Sequence, residues 1–253
     1  MTGDPFESPK LLLARAKENA AEFKGRIEAY GQSQPWEVFD DPDLKTGEHV
    51  VKARLIRPLP ADVRPVFSDA VNNLRHALDQ AVNSAALEIR GGKADCYFPF
   101  GIDAANFALI YKSKRYGPIP MELRPLLDGL KPYAGGDDLL YALNRISGPN
   151  KHQAILTAQP VATGMQNFTG VVSGNVGIGG GWDSAKNELE LARLGPGAQL
   201  NVNFQVTMAI TIGGGNPASG QPVLGFLDAL SGKAEGIINA IEAETARIIR
   251  SRP

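Results

Sequence analysis

Gln199-Leu-Asn-Val-Asn-Phe-Gln-Val-Thr-Met-Ala-Ile-Thr-Ile-Gly213 is the stretch whose reading decides the fold. Leu200, Val202, Phe204, Val206, Met208, Ile210 and Ile212 alternate without a break against Asn201, Asn203, Gln205, Thr207, Ala209 and Thr211. Period-two alternation is the mark of a strand with one apolar face. At roughly 3.3 Å per residue the strand would run about 40 Å. Something must cover its oily side, and the amphipathic helical segments elsewhere in the chain are the candidates.

Working outward, residues after Lys151-His152 are rich in Gly, Thr, Asn and Val, and they hold three more strand-like runs: Ala154 to Ala162, Phe168 to Gly179, and Glu188 to Arg193. The turn-like Leu194-Gly-Pro-Gly-Ala198 predicts an antiparallel hairpin between the third run and the opening strand. After the loop Gly213 to Gly220, Pro222 starts a helix whose Leu224, Leu227, Leu230, Ala234, Ile237, Ile238, Ile241 and Ile248 would be buried.

Towards the N-terminus, Ser8-Pro9 reads as the start of a helix bearing Leu12, Ala16, Ala20, Phe23, Ile27 and Tyr30, with Gly31 as its stop. Trp36 to Phe39 and Glu48 to Arg57 read as a strand pair that could extend the later sheet. Asp62 to about Ile89 reads as a long helix closed by Gly91-Gly92, and Tyr97 to Phe100 as a proline-bound extended piece. Asp103 is placed to cap a short helix, with Pro120 to Leu130 and Asp137 to Ile146 as two further short helices. The order of elements predicts an α+β fold, an antiparallel β-meander packed on helices. We read residues 1–253 as a single domain, with a helix-rich part over 1–152 that includes a β-hairpin at about 36–57, a sheet part over 153–213, and a C-terminal helix over 222–250.

Composition narrows the function. The 253 residues are 43% hydrophobic and 21% charged, with a net charge of −1 and both signs mixed throughout. Nucleic-acid binders and membrane-surface proteins show a basic excess, so neither is expected. Cys96 is the lone cysteine, which excludes an internal disulfide and any multi-cysteine metal site. The N-terminal stretch does not read as a signal peptide and no apolar run approaches about 18 residues, so the expected location is cytoplasmic.

Three features could carry chemistry. Asn72, Arg75, His76, Asp79 and Asn83 gather as a polar stripe on the long helix, and Arg75 and Asp79, four apart, can pair. A buried arginine–carboxylate pair can hold an anion, although a solvated face or a structural ion pair is the simpler reading. Asn144-Arg145-x6-His152 resembles the Arg-x4-6-His motif of HEPN-type ribonucleases, in which arginine binds phosphate and histidine does acid–base work. Gly148-Pro149 interrupts the helix that should carry it, and a helix-end turn is the plainer reading. The runs Gly177-Ile-Gly-Gly-Gly181 and Gly213-Gly-Gly215 lack the strand–glycine–helix context of a phosphate loop and read as turns or bulges, so no cofactor is expected. The uncharged face of the opening strand is expected to be covered by another subunit or a ligand.

Val71-Asn-Asn-Leu-Arg-His-Ala-Leu-Asp-Gln80, Phe98-Pro-Phe100 and Leu143-Asn-Arg-Ile-Ser-Gly-Pro-Asn-Lys-His152 together resemble a loose group of uncharacterised bacterial proteins. In that group the first helix tends to read His-Asn-Leu-Arg-x-x-Leu-Asp-His, and a later stretch ends Asp-Lys-His-Arg. The resemblance covers roughly Asp69 to Leu156, and no established activity comes with it. It implies that Asn72, Arg75, Asp79, Lys151 and His152 belong to one cluster joining two helical stretches. Asn72 and Gln80 replace histidines of the pattern, Asn150 replaces its aspartate and Gln153 its arginine. Each swap removes an ionisable group and keeps a hydrogen-bonding one, which suits a locking network better than a catalytic one. The expectation is a non-enzymatic binding or interaction protein, forming a homo-oligomer and taking a small-molecule or protein ligand. The alternative is a HEPN-like ribonuclease or other hydrolase using Arg145 or Arg75 with His152.

Overall fold

The computed structural model describes residues 3–147, 156–166, 175–198, 202–213 and 217–252. It is α+β, and it forms two compact units, each assembled from separated stretches of chain. The first unit takes Met1–Lys24, Asp62–Leu156 and Ile212–Pro253, and the second takes Gly25–Ala61 and Thr157–Thr211.

The first unit is helical. Helix α1 (Glu7–Gln32) begins one residue before Ser8, because Asp4 is the cap: its Oδ1 accepts the Phe6 N–H at 2.8 Å and its carbonyl accepts the Glu7 N–H at 3.0 Å. Pro9 sits in the first turn, where a missing N–H leaves no bond unmade. Leu13, Ala16 and Phe23 are buried, and the Phe23 ring meets Phe67 with centroids 5.7 Å apart. Helix α2 (Val63–Arg90) follows Asp62 and ends at Gly91, whose φ of 65° only glycine adopts cheaply and whose N–H bonds the Leu87 carbonyl. Its buried face includes Val63, Phe67, Leu74, Leu78 and Ile89, and it packs against α6 (Val223–Arg250) and α5 (Asp138–Ser147). Between α2 and α5 lie α3 (Ala104–Phe107), capped by Asp103 through the Asn106 N–H, and the short α4 (Arg124–Gly129). Lys151 and His152 lie outside the described residues.

The second unit holds the sheets. Strands β1 (Trp36–Pro42) and β2 (His49–Leu55) form the expected antiparallel hairpin, in register from Trp36↔Leu55 to Pro42↔His49. β2 also pairs with β6 (Glu188–Leu194), and β6 pairs along its other edge with β4 (Val176–Ile178) and β5 (Trp182–Asp183). The result is a five-stranded sheet, and the early hairpin does extend it. β3 (Leu156–Gln166) and β7 (Asn203–Ile212) make a separate two-stranded ribbon.

The expected hairpin between Glu188–Arg193 and the opening strand is therefore not formed. Both edges of β6 are taken, and Gly195 donates back to the Asn175 carbonyl at 2.8 Å, so the Gly-Pro-Gly turn leads away from β6. Gly31 is not the stop of α1 either. The helix runs through it to Gln32, Gln34 takes the left-handed conformation (φ 50°), and the Arg57 guanidinium meets the Ser33 and Gln34 carbonyls. A cap supplied from 23 residues away leaves no local mark in the sequence. On β7, Phe204, Val206 and Met208 are half-buried and Ile210 and Ile212 buried, while Asn203, Gln205 and Thr207 are exposed. Residues 199–201 of the same run lie outside the described residues.

Candidate functional site

The polar stripe of α2 faces an extended segment. Asn83 Oδ1 accepts the Cys96 N–H at 3.3 Å, Asp79 Oδ1 accepts the Phe98 N–H at 3.0 Å, and the Arg75 guanidinium lies 4.0 Å from the centre of the Phe100 ring. Four helical residues rise about 6 Å and two extended residues about 6.6 Å, so one turn of α2 matches one two-residue step of the segment running antiparallel beside it. Pro99 falls between these contacts, where no N–H is needed.

Arg75 completes the attachment. Its Nη1 donates to Asn144 Oδ1 on α5 at 2.8 Å, and its Nε lies 3.4 Å from Asp79 Oδ2 as an ion pair, with the side chains 13% and 15% exposed. Burial pushes the Asp79 carboxyl above the usual carboxylate range, opposed by the Arg75 charge and the Phe98 amide. Burial likewise lowers Arg75 from the ordinary guanidinium value, opposed by Asp79. Arg75 Nη1 and both Asp79 oxygens meet the protein's own chain, while the buried Arg75 Nε has no hydrogen-bond partner among the described residues.

The other expected site residues separate from it. Asn72 is half-buried on the same stripe, and His76 and Arg145 are exposed. Arg145 is the neighbour of Asn144, and on a helix adjacent positions point about 100° apart, so the one that reaches Arg75 excludes the other. Asn144 is the partner that the sequence left without a role, since it was read only as part of the Arg145 motif. The Gly177–Gly181 run follows the edge of β6: Gly179 donates to the Leu191 carbonyl at 2.8 Å, and a Cβ on Gly180 would fall 2.5 Å from that of Glu190. Close approach to a strand explains Gly180, and a φ of 87° explains Gly179, without a phosphate.

No family model, curated protein or solved structure matches this chain. Among the described residues no group of His, Cys, Asp and Glu is arranged for a metal, and no helix is long and apolar enough to cross a membrane.

The sheet faces differ sharply. One carries charge pairs: between strands or strand ends, Glu37 with Arg54, Asp41 and Glu188 with Lys52, and Glu48 with Arg193; and within β6, Glu190 with Arg193. The other carries Val38 and Val51 with the exposed Asp40–His49 pair beside them, and between it and the β3–β7 ribbon are two clefts. One, of about 460 Å³, is bordered by Val161, Ile178, Leu189 and Leu191, and the other, of about 440 Å³, by Val38, Val51 and Val202. Phe204 lines both. Patterning alone identified the oily face of β7, but the clefts beside Phe204 depend on which strands pair.

Proposed function

We propose that this protein is a non-enzymatic binding protein that takes an apolar ligand at the β3–β7 ribbon. The observation that carries this reading is the pair of clefts on either side of Phe204. Their sizes fall in the range of roughly 300–1,000 Å³ used by small-molecule sites, and the larger is walled mainly by aliphatic side chains with one aromatic ring. The pairing of Arg75 with Asp79 and its bond to Asn144 support the non-enzymatic side of the reading, because they use this cluster to join α2 to α5.

The test is equilibrium binding of a neutral environment-sensitive dye, Nile red, followed by fluorescence. Saturable binding that Phe204→Ala weakens by about tenfold, roughly 1.4 kcal/mol, at an unchanged melting temperature is the expected result. Equal binding by the variant would remove the site. Cleavage of RNA by the wild type that is lost in His152→Ala, at unchanged melting temperature, would overturn the non-enzymatic reading in favour of a ribonuclease.

A further inference from the structure

The register of the five-stranded sheet sets two rows of side chains across the face that meets the clefts. One row is Val38, Ala53 and Leu189 and the other is Val51, Ala192 and Ile178, because residues paired directly across strands share a face. Val38 and Val51 border the smaller cleft, Leu189 and Ile178 the larger. Each row therefore has an alanine at its middle, and both alanines are fully buried. Something covers them. Phe204 borders the clefts on either side of them, so its ring is the side chain placed to do so.

Two methyl groups make a low floor between taller walls, and the two clefts are one trough that this ring divides. The ring is half-buried and belongs to the second residue of β7, at the end of a ribbon of two strands. A ring so placed can change rotamer without disturbing the sheet. From β1 to β4 the floor crosses three strand spacings, roughly 14 Å, which is a long and narrow shape. Glu190 is the one charged side chain among the described residues lining either cleft, and it is paired with Arg193, so a charged ligand finds no counterion in the trough. Asn203 lines the smaller cleft and not the larger, which gives the trough one polar end.

We propose that the two clefts are a single site for one neutral, unbranched aliphatic chain, its polar head beside Asn203, with Phe204 as the partition that turns aside to admit it. This rests on the reading of the clefts as a ligand site and supplies the class of ligand.

The probes are 1-dodecanol, long enough to cross the partition, and 1-hexanol, short enough for one cleft, each titrated into the full chain carrying methyl-labelled valine and isoleucine. Dodecanol should shift Val38, Val51 and Ile178 along one saturation curve at one molecule per chain, whereas hexanol should give separate curves for the two clefts at two molecules per chain. Sodium dodecanoate should bind more weakly than dodecanol. Phe204→Trp, a bulkier partition, should weaken dodecanol about tenfold and leave both hexanol sites filled, and Ala192→Val should act the same way by raising the floor, each at an unchanged melting temperature. The proposal is overturned if dodecanol shifts one cleft alone or binds twice, if the charged analogue binds as tightly, if both variants bind dodecanol like wild type, or if the same methyls shift on concentrating the ligand-free chain, which would seat a second copy there. Nile red binding without any alkanol shift overturns the single trough and leaves the cleft reading standing, and the absence of both overturns the two together.

Discussion

Arg75 is the residue on which the largest single effect is expected. Removing one member of a buried ion pair leaves the other uncompensated, so Arg75→Met should destabilise the protein by about 3 kcal/mol in urea unfolding. Adding Asp79→Leu should recover part of that loss, because no charge then remains buried; a double variant worse than the sum would mean that the Phe98 amide is the greater need. Cys96 makes a pH-dependent prediction. Burial pushes its thiol from 9.0 to about 11, so the unfolded chain ionises first, and the stabilisation is whole below pH 9 and lost as pH rises towards 11. At pH 10.5 the wild type should have lost about 2 kcal/mol more than Cys96→Ala relative to pH 8. Parallel pH profiles would show that the thiol is not sequestered. At this scale the sequence was partly legible: the i,i+4 spacing of Arg75 and Asp79 announced a pair, but nothing local named Asn144, because the bond spans 69 residues.

Elements were read well where their signals are local. Asp62 and Gly91 bracket α2 as proposed, and the register of β1 on β2 follows from alternation and a turn-rich link. Strand partnership was read poorly. Sequential strands usually pair, which favoured β6 with β7, yet β2 returns from far upstream to occupy one edge of β6. The bulge between Val51 and Lys52 accommodates that join and lies where neither strand's pattern alone would place it. Helix α6 offers an element-scale prediction. Gly225 lies in the first turn of α6 and Gly236 in its interior, and both are exposed with nothing within 4 Å of an added Cβ. Gly225→Ala and Gly236→Ala should each raise stability by about 0.5–1 kcal/mol, measured as higher melting temperatures. A loss instead would mean that a partner packs against that face.

For the whole molecule, the α+β class was legible because class depends on the succession of periodicities, which the chain displays openly. The division into two interleaved units was not, since it depends on contacts between Gly25–Ala61 and Thr157–Thr211. A peptide of residues 25–61 contains the complete β1–β2 hairpin and should nevertheless show no cooperative melt by circular dichroism, since two strands without further partners are marginal in water. A cooperative transition would show that β6 is dispensable to them.

That dependence has a history during biosynthesis. Lys52 waits for Glu188 and Glu48 for Arg193, partners 136 and 145 residues further along. At roughly 5–20 residues per second, the ribosome leaves the outer rim of β2 bare for about 7 to 30 seconds. A naked rim invites pairing with neighbouring nascent chains, and the lysine, arginine and histidine that β2 carries are the kind of side chains that discourage it.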